Sequence, residues 1–524
     1  MNLPERLILL AIDFVLLSAP PALQPLIGGD LRAYVVTTLL VVAVNVALVR
    51  LWTPAPMYHE GHKRRYQTSL ALSVLGVLCG WILFSTTGRW LHEILIAPND
   101  PQRADMLVVV QQGIQRAFQG NNPYTLYHLP WDAPLPYGPA LWLPFAVPFA
   151  LHADIRFVTI AGMLFVPVAC ALAVCISVRR SEWASAGGWL VLLVALCTNA
   201  DLQRFVAIGH TPAYWPLLAL FVWLAASKRW SAAAVVAGLL IVARTTMVAV
   251  APVFLMMVWQ DARLQFTRVL ALMIGAVAIP FLPFAVWNFA SLRYAMYGSY
   301  LVTMKGFVWT STAWAQHTIG ITGWLLVTGW SRAVEVVQAV VMLAVYAAAW
   351  RSIRAGRSAL PWIGFALLAF SMTTLWPVIY LYFDVVLLLV CAALVEAPWP
   401  RATSAGVACA VTLAGTVAIV TAVAWFVIPG AGTSRYLRLG REEALIPRLV
   451  RRNAVIDVDC TVDAPQQLTA LLNGTPLGTV TLTGGAQHVS LAAPARLWQI
   501  GVNELEPSFS SGAMQTTVWQ VTVK

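Results

Sequence analysis

Long apolar stretches separated by short polar breaks dominate the chain. The runs fall near residues 7–26, 34–52, 67–86, 156–178, 187–200, 211–227, 231–243, 246–259, 267–288, 333–350, 359–375, 378–396 and 404–428, thirteen in all. A helix that crosses a bilayer needs about 20 consecutive apolar residues. The pattern therefore predicts a mainly α, polytopic membrane protein of about thirteen spans. Runs of this length do not alternate, which argues against a transmembrane β-barrel. The spans at 231–243 and 246–259 are short and require tilt or local thinning of the bilayer. Two more runs, 137–151 and 319–330, are interrupted by proline, glycine or polar residues. They read as spans or as re-entrant, interfacial segments.

Composition agrees with that picture. Hydrophobic residues make up 60% of the 524 and charged residues only 10%, against about 25% charged in a soluble protein. A soluble enzyme, a disordered chain and a collagen-like rod are excluded. The net charge of +11 would suggest nucleic acid in a soluble protein. Here the positive residues gather in short clusters between apolar runs, as the positive-inside rule describes, so no nucleic-acid partner is expected. With the N-terminus in the cytoplasm, thirteen spans place His62-Lys63-Arg64-Arg65, Arg179-Arg180, Lys228-Arg229, Arg263 with Arg268, and Arg351 with Arg354 and Arg357 inside. Residues 87–155, 289–332 and 430–524 then lie outside. The N-terminus lacks a basic n-region and a small-residue cleavage site, and reads as a retained first span. Seven cysteines, six of them in apolar runs, give no disulfide framework and no metal-ligand pattern.

The division expected is a two-span hairpin with its basic loop (1–66), a transmembrane core (67–429) with an outer loop at 87–155, and a tail (430–524). The tail changes character: AVIDVDCTV, QLTALL, GTVTLT, HVSLAA and TTVWQVTV read as strands, and Asn473-Gly474 and Gly484-Gly485 as turns. A small extracytoplasmic β-sandwich is expected, with Arg435–Arg452 along the membrane surface.

Chemistry-bearing residues concentrate in the first outer segment, which carries Asp100, Arg103, Asp105, Arg116, His128 and Asp132 among Tyr, Trp and Pro. Asp105 opens a helical pattern that ends at Gly120, a C-cap position. As a first-turn acid it would be stabilised by the helix dipole without any catalytic role, so both readings stand. Asp100, in an Asn-Asp-Pro turn context, competes with it. Arg244 interrupts an apolar stretch; a charge at that depth costs at least about 2.5–3.5 kcal/mol on insertion scales and should face protein or a cavity, unless it is a snorkelling helix-end arginine. Arg204, His210, Lys305 and His317 are the other candidate cations, each also readable as a plain outer-loop residue. Trp309, Trp314 and Gln316 lie in the same segment as Lys305 and His317, where aromatic residues at a membrane interface are expected anyway. Asp384, in WPVIYLYFDVVLLLV, is an intramembrane acid and hence a functional candidate or a packing partner. Tyr380 and Tyr382 would line a lipid groove or an interface. Asp13 reads as a polar contact between helices.

The order Asp105, Gly120, Asn122-Pro123-Tyr124, Pro136-Tyr137-Gly138-Pro139 resembles the first lumenal loop of GT-C glycosyltransferases. It is most similar to the glycosyltransferase family 87 type, which includes polyprenyl-phosphomannose-dependent mannosyltransferases. The family usually has Tyr-Pro-Pro where this chain has Tyr137-Gly138-Pro139. Ile208-Gly209-His210-Thr211 stands where the family often has Gly-Gln, and Ala243-Arg244-Thr245-Thr246 where it often has Lys-Pro. The resemblance covers roughly residues 67 to 397.

That resemblance implies transfer of mannose or a similar sugar from a polyprenyl-phosphate donor to a glycan or glycolipid acceptor, on the outer face of a multi-pass cell-membrane protein, a prokaryotic plasma membrane on this reading. It implies Asp105 as general base, no cofactor and no metal. Arg244, Arg204, His210, Lys305 and His317 would hold the donor phosphate. Asp100, Asn122, Tyr124, Tyr137, Trp314, Gln316 and Tyr380 would contact substrate. Direct displacement would invert the anomeric centre. The tail more weakly resembles jelly-roll accessory modules of carbohydrate-active proteins, through Asn473-Gly474 and Gly501-Val502-Asn503-Glu504-Leu505. Two other classes stay open: a transporter or flippase of lipid-linked sugars, and a glycan-binding assembly scaffold.

Overall fold

The computed structural model describes residues 2–27, 30–52, 70–96, 101–128, 132–151, 153–299, 318–375, 380–396 and, in the tail, 454–462, 466–472, 475–483, 485–493, 503–509 and 519–521. Numbered in chain order, the helices are α1 (Leu3–Leu16), α2 (Pro20–Ile27), α3 (Asp30–Leu51), α4 (Leu70–Ile96), α5 (Pro101–Phe118), α6 (Pro139–Ala150), α7 (Phe157–Arg179), α8 (Trp183–Thr198), α9 (Ala200–Ile208), α10 (Trp215–Ala226), α11 (Trp230–Ala243), α12 (Ala251–Asp261), α13 (Phe266–Arg293), α14 (Ile321–Val327), α15 (Val334–Arg354), α16 (Leu360–Thr373) and α17 (Tyr380–Glu396). Short 3-10 turns at Thr211–Tyr214 and Thr245–Val250 lead into α10 and α12.

The molecule is mainly helical, and its apolar helices mark it as a membrane protein. Among the described residues five helical stretches are long and apolar enough to cross a bilayer, and α1 with α2 makes a sixth if that pair, bent by 72°, is one span. Seven further apolar helices hold only 10–17 residues. Proline explains several starts: Pro20, Pro139, Pro252 and Pro361 lie in the first turn of their helices, where a missing N–H costs nothing. Run 404–428 lies outside the described residues. Run 137–151 is α6, and 319–330 yields only the seven-residue α14.

Three expectations shift. Helix α4 continues to Ile96, well into the expected outer segment. Arg89 helps fix that extension, its guanidinium donating to the Cys197 carbonyl at 2.9 Å. Helix α5 starts at Pro101, so Asp105 sits in its second turn and not at its opening. Its C-terminal end is as expected: Gly120 has φ +74°, and Asn121 N–H donates to the Arg116 carbonyl at 2.9 Å, the left-handed cap that glycine favours. Helix α1 touches α3, as the expected hairpin requires, but its packing is not confined to it. It packs along α8 and α17, with Leu7, Leu10 and Phe14 fully buried and Phe14 5.4 Å from the Phe383 ring. Ser18, just past α1, donates to Asp201 at 2.6 Å and accepts from Asn199 at 2.9 Å.

The bundle has two chemically different ends. Helical hairpins α7–α8, α10–α11 and α15–α16 turn at Arg179-Arg180, Lys228-Arg229 and Arg351–Arg357. Lys228 Nζ lies 2.7 Å from Asp261 at the α12–α13 turn, which puts those turns together. Tryptophans carry guanidiniums there: Arg229 over Trp223, Arg263 over Trp259 and Arg354 over Trp350, at 5.1, 4.6 and 5.7 Å. An amphipathic side chain spread over an indole is the arrangement expected where a helix meets headgroups. The connections α9–α10, α11–α12 and α16–α17 lie at the other ends of these helices, and the candidate site forms there.

Two short strands, β1 (Leu126–His128) and β2 (Asp132–Pro134), pair antiparallel ahead of α6. In the tail, β3 (Ala454–Val462) pairs antiparallel with β6 (Gly485–Ala493). A second sheet has the order β5 (Thr475–Leu482), β4 (Gln466–Leu472), β7 (Asn503–Phe509), β8 (Trp519–Val521). Four of these strands fall on the segments that the sequence predicts, and Trp519–Val521 lies within the fifth. Strand β7 was not predicted. Asn473-Gly474 and Gly484 lie outside the described residues.

Candidate functional site

Four separate breaks in the helical pattern meet at one place. The first is Pro136-Tyr137-Gly138-Pro139, just before α6. Tyr124 supports it from beneath: its hydroxyl donates to the Tyr137 carbonyl at 3.1 Å, and Trp142 Nε1 donates to the Tyr124 oxygen at 3.3 Å. Burial pushes the Tyr124 phenol well above the usual tyrosine range, so it stays protonated as a donor. Asn122 shapes the same turn, its side chain accepting from Tyr124 N–H at 2.9 Å and its carbonyl from Arg116 at 3.2 Å. Both residues were expected to contact substrate; the structure uses the described groups of both to build the turn that presents Tyr137.

Gly138 fixes how close this loop comes to α11. A Cβ there would stand 2.0 Å from the Val242 carbonyl oxygen, so only glycine fits, and neither the family's proline nor alanine would. Gly138→Ala is expected to cost about 1–3 kcal/mol by overpacking. Thermal unfolding of the detergent-solubilised protein measures it, and an unchanged midpoint would mean that the loop does not sit against α11.

The second break is Gly209-His210-Thr211. Thr159 on α7 donates to the Gly209 carbonyl at 2.8 Å. His210 is 4% exposed. Its ring centroid lies 4.2 Å from that of Tyr137 and 6.1 Å from that of Tyr380. Both ring nitrogens are buried without a hydrogen-bond partner among the described residues. Burial, with the Arg244 guanidinium as a like-charged neighbour, lowers its proton affinity well below the usual histidine range, so the ring is neutral.

The third break is Arg244, where the chain leaves α11 with extended backbone. Its Nη1 donates to Thr211 Oγ1 at 3.0 Å, and its guanidinium carbon lies 4.5 Å over the Tyr380 ring. A desolvated cation–π contact is worth about 2 kcal/mol. A hydrogen bond to a charged group adds about 1.5–3 kcal/mol. Together they offset the cost of placing the charge there. No other described residue accepts a hydrogen bond from its remaining N–H groups, and the side chain keeps 9% exposure.

The fourth break opens α17, which supplies Tyr380 and Asp384. Asp384 is 0% exposed. It accepts from the Tyr214 hydroxyl at 2.5 Å and from Trp215 Nε1 at 2.8 Å. Arg244 is in Coulombic reach of Asp384, but no ion pair joins the two within 4.0 Å. The cation is thus balanced at a distance and not neutralised in contact, so it can still attract an anion.

Of the residues expected from the sequence, Tyr137, His210, Arg244 and Tyr380 come together. The backbones of Asp105 and Arg204 are placed on α5 and α9, but their side chains lie outside the described residues, as do Asp100, Lys305, Trp314, Gln316 and His317. Thr211 was named only as part of a loop motif, without a role; Tyr214 and Trp215 were missed, and the polar TPAYW break before an apolar run was their only signal. Asp384 was singled out, but without its partners. Among the described residues no three His, Cys, Asp or Glu gather as a metal site. Cys79, Cys170, Cys197 and Cys391 are free thiols.

No protein-family model, curated protein or solved structure matches the chain. Its own geometry and the loop motifs therefore carry the functional reading.

Proposed function

We propose that the chain is a polytopic membrane glycosyltransferase that moves a sugar from a polyprenyl phosphate to a glycan or glycolipid acceptor. The observation that carries the proposal is Arg244: a buried guanidinium with a single hydrogen bond among the described residues, lying over the Tyr380 ring, at the end of the bundle opposite the basic turns. By the positive-inside rule that end faces outward. In this reading thirteen spans cross a cell membrane, and the tail folds as an extracytoplasmic β-sandwich. Arg244 holds the lipid phosphate, whose developing charge needs cations and no strong acid. Asp105 takes the proton of the attacking hydroxyl, and the anomeric centre inverts.

The test is transfer of labelled sugar from a synthetic polyprenyl-phosphate donor in proteoliposomes. Wild type transfers, and Asp105→Asn is slower by roughly 10²-fold, the lower part of the general-base range because the leaving group is already good. Undiminished transfer by the variant removes Asp105 from the mechanism.

A flippase of lipid-linked sugars is the second reading, favoured by the break between α1 and α2 and by the short apolar helices, since transporters use broken spans. A flippase moves the intact donor between leaflets and releases no polyprenyl phosphate, so product analysis in the same assay separates the two.

A further inference from the structure

We propose that His210 binds a hydroxyl of the transferred sugar, and so selects the donor, while Arg244 beside it takes the phosphate. The proposal rests on the transferase reading above and adds a role for a residue that the sequence suggested only as a phosphate cation.

The argument starts from an imbalance. Buried polar atoms are nearly always hydrogen-bonded. The His210 ring is buried at both nitrogens, and neither has a partner among the described residues. Tight local structure holds the ring there: Thr159 anchors Gly209, and Tyr137 covers one side at 4.2 Å. Nothing in that arrangement needs an imidazole; a phenyl ring would pack as well.

The chemistry of the missing partner follows from the ring. A neutral imidazole offers one N–H donor and one acceptor nitrogen. A phosphate oxygen answers only the donor. A hydroxyl answers either nitrogen, and adjacent hydroxyls on a sugar answer both. Positive charge on the ring would be disfavoured by burial and by Arg244, so a second anion-binding cation is the wrong role for it. A sugar phosphate presents an anion and, a few bonds away, a set of hydroxyls. A guanidinium next to a neutral imidazole matches that order. Tyr137 and Tyr380 flank the pair and offer flat faces to a saccharide ring.

The experiment compares farnesyl-phosphate mannose, glucose and arabinose as parent donors, each with its monodeoxy analogues, in the transfer assay. Variants are His210→Phe, which keeps ring bulk and loses both nitrogens, and His210→Gln, which keeps a donor and an acceptor. Wild type is expected to reject one deoxy position by up to about 10⁴-fold in kcat/KM, the discrimination of a site built to bond a hydroxyl. His210→Phe is expected to lose that discrimination to within a few-fold while keeping it at other positions. His210→Gln is expected to retain it. Each ratio is read on one preparation, so partial loss of folded protein cancels, and His210→Gln keeps the comparison if the phenylalanine variant does not accumulate. Equal slowing of parent and deoxy donors by His210→Phe, or indifference of wild type to every deoxy position, overturns the proposal and leaves the transferase standing. Absence of transfer from every parent donor overturns both.

Discussion

Arg244→Gln slows sugar transfer about 10³-fold, with little change in thermal stability. Removing one preorganised donor from a developing oxyanion costs about 10²–10³-fold in kcat, and a guanidinium contributes several donors and a full charge. Glutamine keeps polarity but ends two bonds short of the arginine Nη, so charge and fork are both lost; stability changes little because the lost contacts only offset the cost of burying the charge. Arg244→Lys separates charge from geometry. An ammonium is a point charge without the planar fork of a guanidinium, so lysine should restore part of the rate but not all. Initial rates at saturating and sub-saturating donor decide the matter: the loss should fall on kcat as well as on KM, because the phosphate carries most charge as it leaves. Normal rates from Arg244→Gln would assign the residue to anchoring alone and take away the site's proposed anion.

Asp384→Ala is expected to be a stability variant, costing about 3–5 kcal/mol, the usual result of removing one partner from a buried charged network. The carboxylate accepts from Tyr214 and Trp215, and both donors would be left buried and unpaired. Arg244 would lose its compensating charge. Asp384→Asn keeps one acceptor oxygen and should cost less, about 1–3 kcal/mol for a single unmet group. Unfolding followed by the loss of soluble, monodisperse protein on heating reports both. The contrast is informative: Arg244→Gln should lose rate and keep its fold, whereas Asp384→Ala should lose both. A fully stable Asp384→Ala protein would show that the bonds to Tyr214 and Trp215 contribute little to holding α10 against α17.

The same residues show how far a linear reading reaches. Arg244 and Asp384 were visible because a charge inside an apolar run is expensive and needs a reason. His210 and Tyr137 were visible only through the loop motifs around them. Tyr214 and Trp215 were not, because aromatic residues at a helix start are ordinary at a membrane interface. The start of α5 was misplaced by about one turn because Asp105 was taken as a first-turn acid, whereas proline at position 101 begins the helix. Packing of α1 on α8 and α17 depends on side-chain fit that a hydropathy pattern does not carry.

By itself the sequence determined that this is a helical membrane protein, where most of its apolar helices fall, which turns carry the positive charge, and where the chain breaks its own pattern. Those properties follow from residue-by-residue hydration cost and from local cap chemistry, so they are written locally. Tertiary structure alone decided that four of the breaks, spread over residues 137 to 384, form one site. The bond from Tyr214 to Asp384 spans 170 positions, and the glycine at 138 is required by a carbonyl of Val242. Which helices become neighbours is settled by the packing of whole faces against one another, and no period within a single run records it.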